Sequence, residues 1–252
     1  MIFRNTIANY IGQFYVIFIG IVVTPLFLDV LGPEQYGLIA FYTVLQAWMS
    51  FFDPAISPVI GREIAVIKER RSGYLEFSKL LASFEFIFFV LAVIFSAIFF
   101  LLSPYLASHW FNLVRLSPET VATSLQIIGV TVASRWFVSL YKSGLVGIQQ
   151  QITVNVLNIM FQTLKFGGGL LIVIFLTKEV QVFFQFQLAV SFVEIAVISG
   201  VFYNHVGRLG IHFRIIEPPH LNWSSAMFRK RRTDNDEQTT EAGRDYHEVE
   251  AS

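Results

Sequence analysis

The sequence predicts an all-α integral membrane protein with about six transmembrane helices. Hydrophobic residues make up 54% of the 252-residue chain and charged residues only 14%, whereas charged residues are about 25% of an ordinary globular domain. Three long windows, residues 5–28, 86–114 and 143–164, contain no Asp, Glu, Lys or Arg. A spanning helix needs about 20 mostly apolar residues, so each window is long enough to cross a bilayer.

Three weaker windows are apolar apart from one charged residue each, namely Asp53, Arg135 or Glu194. All the windows together predict six spans, at about residues 7–30, 38–60, 83–107, 120–142, 153–176 and 182–203. Strands fit less well, because a barrel strand has about 9–11 residues and alternates apolar with polar side chains. The stretch FEFIFFVLAVIFSAIFFLL is longer and apolar on all sides, which favours helices.

The motif LGPEQYG at residues 31–37 separates the first two spans. Gly32 and Pro33 are residue types that form tight turns, and Tyr36 is of the type that anchors a helix end at the membrane interface. The motif therefore predicts a short hairpin on the outer side of the membrane.

Positive charges concentrate on one face of this six-span arrangement. That face carries Arg4, Arg62, Lys68, Arg70, Arg71, Lys79, Lys142, Arg208, Arg214 and the run 229–232, whereas the other carries only Arg115 and Lys178. Loops rich in Lys and Arg stay in the cytoplasm. Both termini are therefore predicted to be cytoplasmic, in a cell (inner) membrane.

The chain divides into a six-helix bundle (1–205), a basic juxtamembrane segment (206–232) and an acidic tail (233–252). The tail has almost no large apolar residues, so we expect it to be disordered. The loop at 61–80 is predicted to be partly helical, because REIAVIKERR places Ile64, Ile67 and Lys68 near one face.

The sequence contains no cysteine and no zinc-protease, nucleophile-elbow or phosphate-cradling motif. The stretch FGGGL at 166–170 lies within a predicted span, where close helix packing is a better explanation than phosphate binding. We therefore expect no enzyme activity, no cofactor, no metal and no nucleic-acid partner.

Charged residues inside the spans are the strongest indication of a site. Each costs about 2.5–3.5 kcal/mol at the bilayer centre, so it normally faces a partner or an aqueous cavity. Lys165 and Glu194 lie near mid-span, and Asp53 and Arg135 both lie further towards the cytoplasm. We predict that Lys165 meets Glu194 and Asp53 meets Arg135, or that all four line one cavity. Asp53 and Glu194 are candidates for ion coupling, or for pairing that only locks helices together.

Polar residues of the fifth span extend this candidate site. Asn155, Asn158 and Gln162 follow at i, i+3 and i+7 on one helix face, and Lys165 is three residues further on. Ammonium and guanidinium groups suit an anionic head group, and the amides suit hydroxyl groups or a bridge between helices. Arg135, Lys165, Asn158 and Gln162 are the candidate substrate-binding residues, with Asn9 and Gln13 of the first span as further polar groups.

Three stretches carry a family resemblance: NTIANYIGQFYVIFIGIVVTPLFLDVLGPEQYGLIAFY (5–42), FFDPAISPVIGREIA (51–65) and YKSGLVGIQQQITVNVLNIM (141–160). In this order they resemble the polysaccharide flippases of the MOP superfamily, the Wzx-type O-antigen translocases. Ala55 and Ile56 depart from the Leu-Gly-like pair that is usual in the second stretch.

The resemblance implies an exporter of a lipid-linked oligosaccharide or polysaccharide repeat unit, carried on undecaprenyl pyrophosphate. Such flippases have twelve to fourteen helices in two six-helix bundles, with a cationic cavity between them. This chain has one predicted bundle, so we expect either a truncated chain or a half-transporter that works as a homodimer.

Two other functions stay open. A cation-coupled multidrug exporter of the related branch would rely on buried acids, whereas span 1 has only Asp29 at its outer edge. A non-transporting membrane fragment or scaffold is the third alternative.

Overall fold

A computed structural model describes residues 2–50, 53–70, 74–111 and 113–208. Within these ranges the chain is helical apart from short turns and contains no strand, which confirms the all-α prediction. The helices are α1 (Ile2–Ser50), α2 (Asp53–Arg70), α3 (Tyr74–His109), α4 (Pro118–Ala133), α5 (Arg135–Gly147), α6 (Gln151–Thr163), α7 (Gly169–Phe175) and α8 (Val180–Arg208). A π-helical segment, Leu164–Gly168, joins α6 to α7.

Five helical stretches in the described ranges are long and apolar enough to cross a membrane. Two of them, Pro118–Gly147 and Gln151–Phe175, each combine consecutive helices. α3 illustrates the lipid-facing character of these helices, because only 11% of its most apolar window is buried within the protein. Such a surface requires an apolar solvent. The protein is therefore a multi-pass membrane protein.

The first stretch, Phe14–Met49, crosses twice because α1 is broken at Gly32. Gly32 has φ 76° and ψ 169°, a conformation that is strained for residues with a Cβ. The Tyr15 and Thr163 hydroxyl oxygens are 2.7 Å apart, and Gln46 shares a cavity with Gln162. Tyr15 and Gln46 would lie about 46 Å apart in a straight helix. The two arms of α1 (2–31 and 33–50) therefore fold back on each other, which confirms the predicted hairpin.

The predicted second span, 38–60, covers the last described residues of α1, to Ser50, and the first described residues of α2, from Asp53. Residues 51 and 52 lie outside the described residues, so a single span over 38–60 stays a prediction. α2 is amphipathic, with Ile60, Ile64 and Ile67 buried, and it packs against α5.

Two apolar clusters hold the helices together. One joins both arms of α1 to α4, α7 and α8, and its aromatic centre is formed by Phe27, Tyr42, Phe183 and Phe184. The other joins α2, α3, α5 and α8. It contains a polar link, because Tyr141 and Tyr203 both donate hydrogen bonds to Oε1 of Glu85. These clusters fix α5 and α8 relative to the second arm of α1.

The hairpin after Gly32 also ties down two distant loops. The Glu34 carboxylate accepts hydrogen bonds from the backbone N–H groups of Val114, Arg115 and Leu116 at 2.9–3.2 Å. Gln35 Oε1 accepts the N–H of Val180, the first residue of α8, at 2.8 Å. We call Glu34 and Gln35 the hairpin clasp. It joins the α3–α4 loop and the start of α8 to one turn.

The residues 206–208 are the end of α8, and the remainder of the predicted basic segment and tail lies outside the described residues. The side chains of Asn9, Gln13 and Asp53 also lie outside them. The side of the membrane on which each terminus lies stays a prediction.

We expect Glu34→Gln to lower thermal stability in a pH-dependent way. The N–H of Leu116 above all, with those of Val114 and Arg115, lowers the pKa of Glu34 from its ordinary value of 4.5. A carboxyl group with a depressed pKa stabilises the fold above its unfolded pKa, and this contribution is lost as the pH falls through the folded pKa. The Tm difference between wild type and Glu34→Gln in detergent should therefore be full at neutral pH, begin to fall below about pH 4.5 and vanish only below the lower pKa of the folded protein.

Asp29→Asn, which removes an exposed acid on the first arm, close to the same hairpin, is the control and should leave Tm nearly unchanged. A Tm difference for Glu34→Gln that is independent of pH would contradict the charge-assisted contact.

We expect Gly147→Ala to destabilise the contact between α2 and α5. A Cβ at Gly147 would lie 2.6 Å from Ile64 Cγ2 and 2.7 Å from the Gly61 Cα, so one helix must move, at a cost of about 1–3 kcal/mol. Gly200→Ala is the matched control, since a Cβ there meets nothing within 4 Å and alanine favours a helix by up to about 1 kcal/mol. Equal Tm values for the two variants in detergent would contradict this packing.

Candidate functional site

A polar cavity of about 410 Å³ lies among α5, α8, the second arm of α1 and the α6–π segment. Three cations and one carboxylate line it, so its formal charge is +2. The lining side chains are those of Tyr42, Gln46, Arg135, Val138, Ser139, Lys142, Ser143, Val146, Gln162, Lys165, Phe166, Gln187 and Glu194. The sequence analysis predicted, as one alternative, that four charged residues line one cavity. This is confirmed for Arg135, Lys165 and Glu194.

α5 supplies one wall of the cavity through the spacing of its polar residues. Arg135, Ser139 and Lys142 follow at i, i+4 and i+7, which places them on one face of a helix. The opposite face of α5 carries buried apolar residues such as Leu140 and Leu145. Packing of this apolar face forces the cationic face inward to the cavity.

The Glu194 carboxylate bridges two lysines from different helices. Its Oε1 lies 3.0 Å from Lys142 Nζ, and its Oε2 lies 2.6 Å from Lys165 Nζ. The Glu194 side chain is 7% exposed, whereas those of Lys165 and Lys142 are 13% and 24% exposed. The predicted contact between Lys165 and Glu194 is confirmed, and Lys142 makes it a cluster of three charges.

Sequence analysis places Lys142 at the cytoplasmic end of span 4, as one of the charges that orient the chain. The structure places it inside α5, because α5 continues to Gly147. Its seven-residue spacing from Arg135 is the signal that links both residues to one face. Sequence analysis did not select Lys142 as a site residue because the predicted span ended at this position.

Lys165 lies in the π-helical segment, which is a frequent feature of functional sites. Its backbone carbonyl accepts a hydrogen bond from Gln187 Nε2 at 2.8 Å, so α8 is joined to this segment through main chain as well as through Glu194. A Cβ at Gly169 would lie 2.6 Å from Phe183 Cε2. The glycines of FGGGL thus allow α8 to approach closely, as predicted.

Arg135 donates from Nη1 to the amide oxygen Oε1 of Gln46 on the second arm of α1. Because Gln46 is neutral, this contact does not compensate the guanidinium charge. The Asp53 side chain lies outside the described residues, so its pairing with Arg135 stays a prediction. Glu194 is the one acid among the described residues that line the cavity.

Only one of the two amide residues predicted to bind substrate lines the described cavity. Gln162 lines the cavity together with Lys165, three residues away. Asn158 is half-buried one turn earlier and is absent from the described cavity lining. Gln46, Tyr42 and Gln187 line the cavity although sequence analysis did not select them, because isolated polar residues in apolar helices give no periodic signal.

We expect Glu194→Gln to destabilise the protein more than the loss of either lysine. It leaves two ammonium groups facing each other, and breaking a buried ion pair costs about 3–5 kcal/mol. Lys165→Gln and Lys142→Gln each leave one pair, and Lys142 is the more exposed lysine. Tm in detergent should therefore fall most for Glu194→Gln, less for Lys165→Gln and least for Lys142→Gln.

Exchanging the charges of positions 165 and 194 is the control. It should restore only part of the Tm, because Lys142 then faces a second ammonium group. Complete restoration would show that Lys142 does not belong to the cluster.

Comparison with known proteins shows the family to which the chain belongs. A sequence model of the family described as polysaccharide biosynthesis protein matches residues 2–229. Comparisons with curated proteins and with solved structures give no match. The family match covers nearly all of the six-crossing bundle and its cationic cavity, and the chain belongs to the polysaccharide biosynthesis protein family.

Proposed function

We propose that this protein moves lipid-linked oligosaccharide or polysaccharide repeat units across the cell (inner) membrane, as a flippase. The observation that carries this proposal is the cavity with a formal charge of +2 inside an apolar helical bundle. Intramembrane cations are costly and mark substrate pathways. The family match, to a model described as polysaccharide biosynthesis protein, supports a saccharide as the cargo, and we propose that this saccharide crosses the membrane on a lipid carrier.

The pyrophosphate of the carrier lipid is the group that the cations attract. A guanidinium binds phosphate oxygens with paired donors, and an ammonium binds them as a compact charge. Arg135 and Lys165 line one cavity with Lys142. This set suits a diphosphate better than a single carboxylate, since a diphosphate has more oxygens and charge to share. Undecaprenyl pyrophosphate is the carrier that we propose.

Neutral polar groups of the cavity suit the first sugar. Gln162, Ser139 and Gln187 line it beside the cations, and amides and hydroxyls both donate and accept hydrogen bonds. Asn158, one turn from Gln162, would contact the sugars further along. A cavity of about 410 Å³ is at the small end of ligand pockets, so it holds a diphosphate and one sugar. We place the rest of the saccharide against a second bundle, supplied by a second copy of this chain.

A multidrug exporter that carries cationic cargo is disfavoured by the same charge. Three cations and one carboxylate repel a positive ligand, and the repulsion is strong in a medium of low dielectric constant. Asp53 and Glu194 are the residues that would couple transport to protons or sodium. With both termini cytoplasmic, the cargo reaches the cavity from the cytoplasmic side.

We expect the double variant Arg135→Gln/Lys165→Gln to lose translocation of a fluorescent lipid-linked oligosaccharide in proteoliposomes. Each charge-assisted contact contributes about 1.5–3 kcal/mol, so the rate should fall by more than about tenfold. Lys178→Gln is the matched control, because Lys178 is an exposed cation outside the cavity. It should transport like wild type.

Equal rates for the double variant and wild type would remove the site assignment. Absence of transport by folded wild type, with the 252-residue chain as the only protein, would contradict transport by this chain alone. The non-transporting alternative would then apply.

A further inference from the structure

Glu194 occupies the position in which two lysines of the cavity would hold an anionic ligand. Each of its carboxylate oxygens contacts a different ammonium group, at 3.0 Å for Lys142 and 2.6 Å for Lys165. These lysines belong to α5 and to the π-helical segment, whereas Glu194 belongs to α8. The carboxylate thus spans a site built from three separate elements.

A diphosphate offers the same lysines more oxygens and more negative charge than a carboxylate does. Both anions accept charge-assisted hydrogen bonds from ammonium groups, so they compete for one pair of donors. We propose that Glu194 is a built-in competitor of the substrate, which holds Lys142 and Lys165 in the empty protein and is displaced by the substrate's pyrophosphate. This inference rests on the proposed function and deepens it.

α8 contains a second position for the displaced carboxylate. Ser191 precedes Glu194 by three residues, which puts both side chains on neighbouring positions of one helix face. Its hydroxyl is buried, with the residue 1% exposed, and has no hydrogen-bond partner among the described residues. A buried hydroxyl without a partner is costly, and donation to the displaced Glu194 would remove that cost.

Displacement also changes how α8 is held. Before it, α8 is joined to the lysines through Glu194 and to the Lys165 carbonyl through Gln187 at 2.8 Å. After it, only the neutral Gln187 contact remains of these two. Substrate binding therefore loosens α8 from α5 and from the π-helical segment at the depth where the substrate is bound.

The test measures binding of inorganic pyrophosphate by calorimetry to the full chain in nanodiscs of neutral phosphatidylcholine. A tethered group acts at an effective concentration in the millimolar range, so its removal in Glu194→Gln should tighten binding by about tenfold or more. Lys165→Gln and Lys142→Gln should weaken binding. Glu194→Asp keeps the charge on a side chain too short to span both lysines, and should tighten binding by less than Glu194→Gln. It decides the question if Glu194→Gln does not fold.

Ser191→Ala gives a second readout that a merely structural Glu194 would not move. It should weaken pyrophosphate binding by about fivefold, as expected for one hydrogen bond of about 1 kcal/mol, and have no effect in the Glu194→Gln background. Ser124→Ala is the matched control, because Ser124 is equally buried but donates to the Thr120 carbonyl within α4.

Three results are decisive. Tighter binding by the Glu194 variants, with or without detectable wild-type binding, supports the competitor. If wild type binds pyrophosphate as tightly as the Glu194 variants, or more tightly, Glu194 is not a competitor. The flippase proposal is unaffected by that result. Absence of pyrophosphate binding in wild type and in every Glu194 variant removes the anion site itself, and the proposed function falls with it.

Discussion

The ion cluster around Glu194 is the interaction on which the rest of the site depends. An isolated ammonium group is expensive within a membrane, and one carboxylate compensates two of them here. α5, α8 and the π-helical segment are each anchored to this cluster by one side chain. The cluster therefore both permits buried cations and sets the distances between three helices.

Apolar packing explains why these side chains face inward. The aromatic centre of Phe27, Tyr42, Phe183 and Phe184 holds α8 against both arms of α1. The second cluster holds α5 between α2 and α8, and the close approach of Gly61 and Gly147 sets the position of α2. With their apolar faces occupied in this way, the polar faces of α5 and α8 face each other, the α6–π segment and the second arm of α1.

The fold was predictable from sequence to the extent that hydrophobicity determines it. A membrane-spanning backbone must satisfy its own hydrogen bonds, which leaves helices as the form for long apolar runs. The hairpin at Gly32 and the contact of Lys165 with Glu194 followed from turn residues and from equal depth. By contrast, the inward position of Lys142 and the π-helical segment depend on tertiary packing, which outweighs local sequence signals. Asn158 had the right periodicity but lies just beyond the cavity.

The contacts that join the helices differ between the hairpin end of the bundle and the level of Glu194. At one end the hairpin clasp joins the α3–α4 loop and the start of α8 to the hairpin through hydrogen bonds from main-chain N–H groups, and these groups lie outside the described cavity lining. At the level of Glu194 the helices are joined by side-chain charges, and in our proposal an anion competes for these. An anion that enters the cavity would then act on the ionic contacts and leave the clasp in place. In that case the helices separate at the level of the substrate while the hairpin end keeps them together, so the bundle bends instead of coming apart.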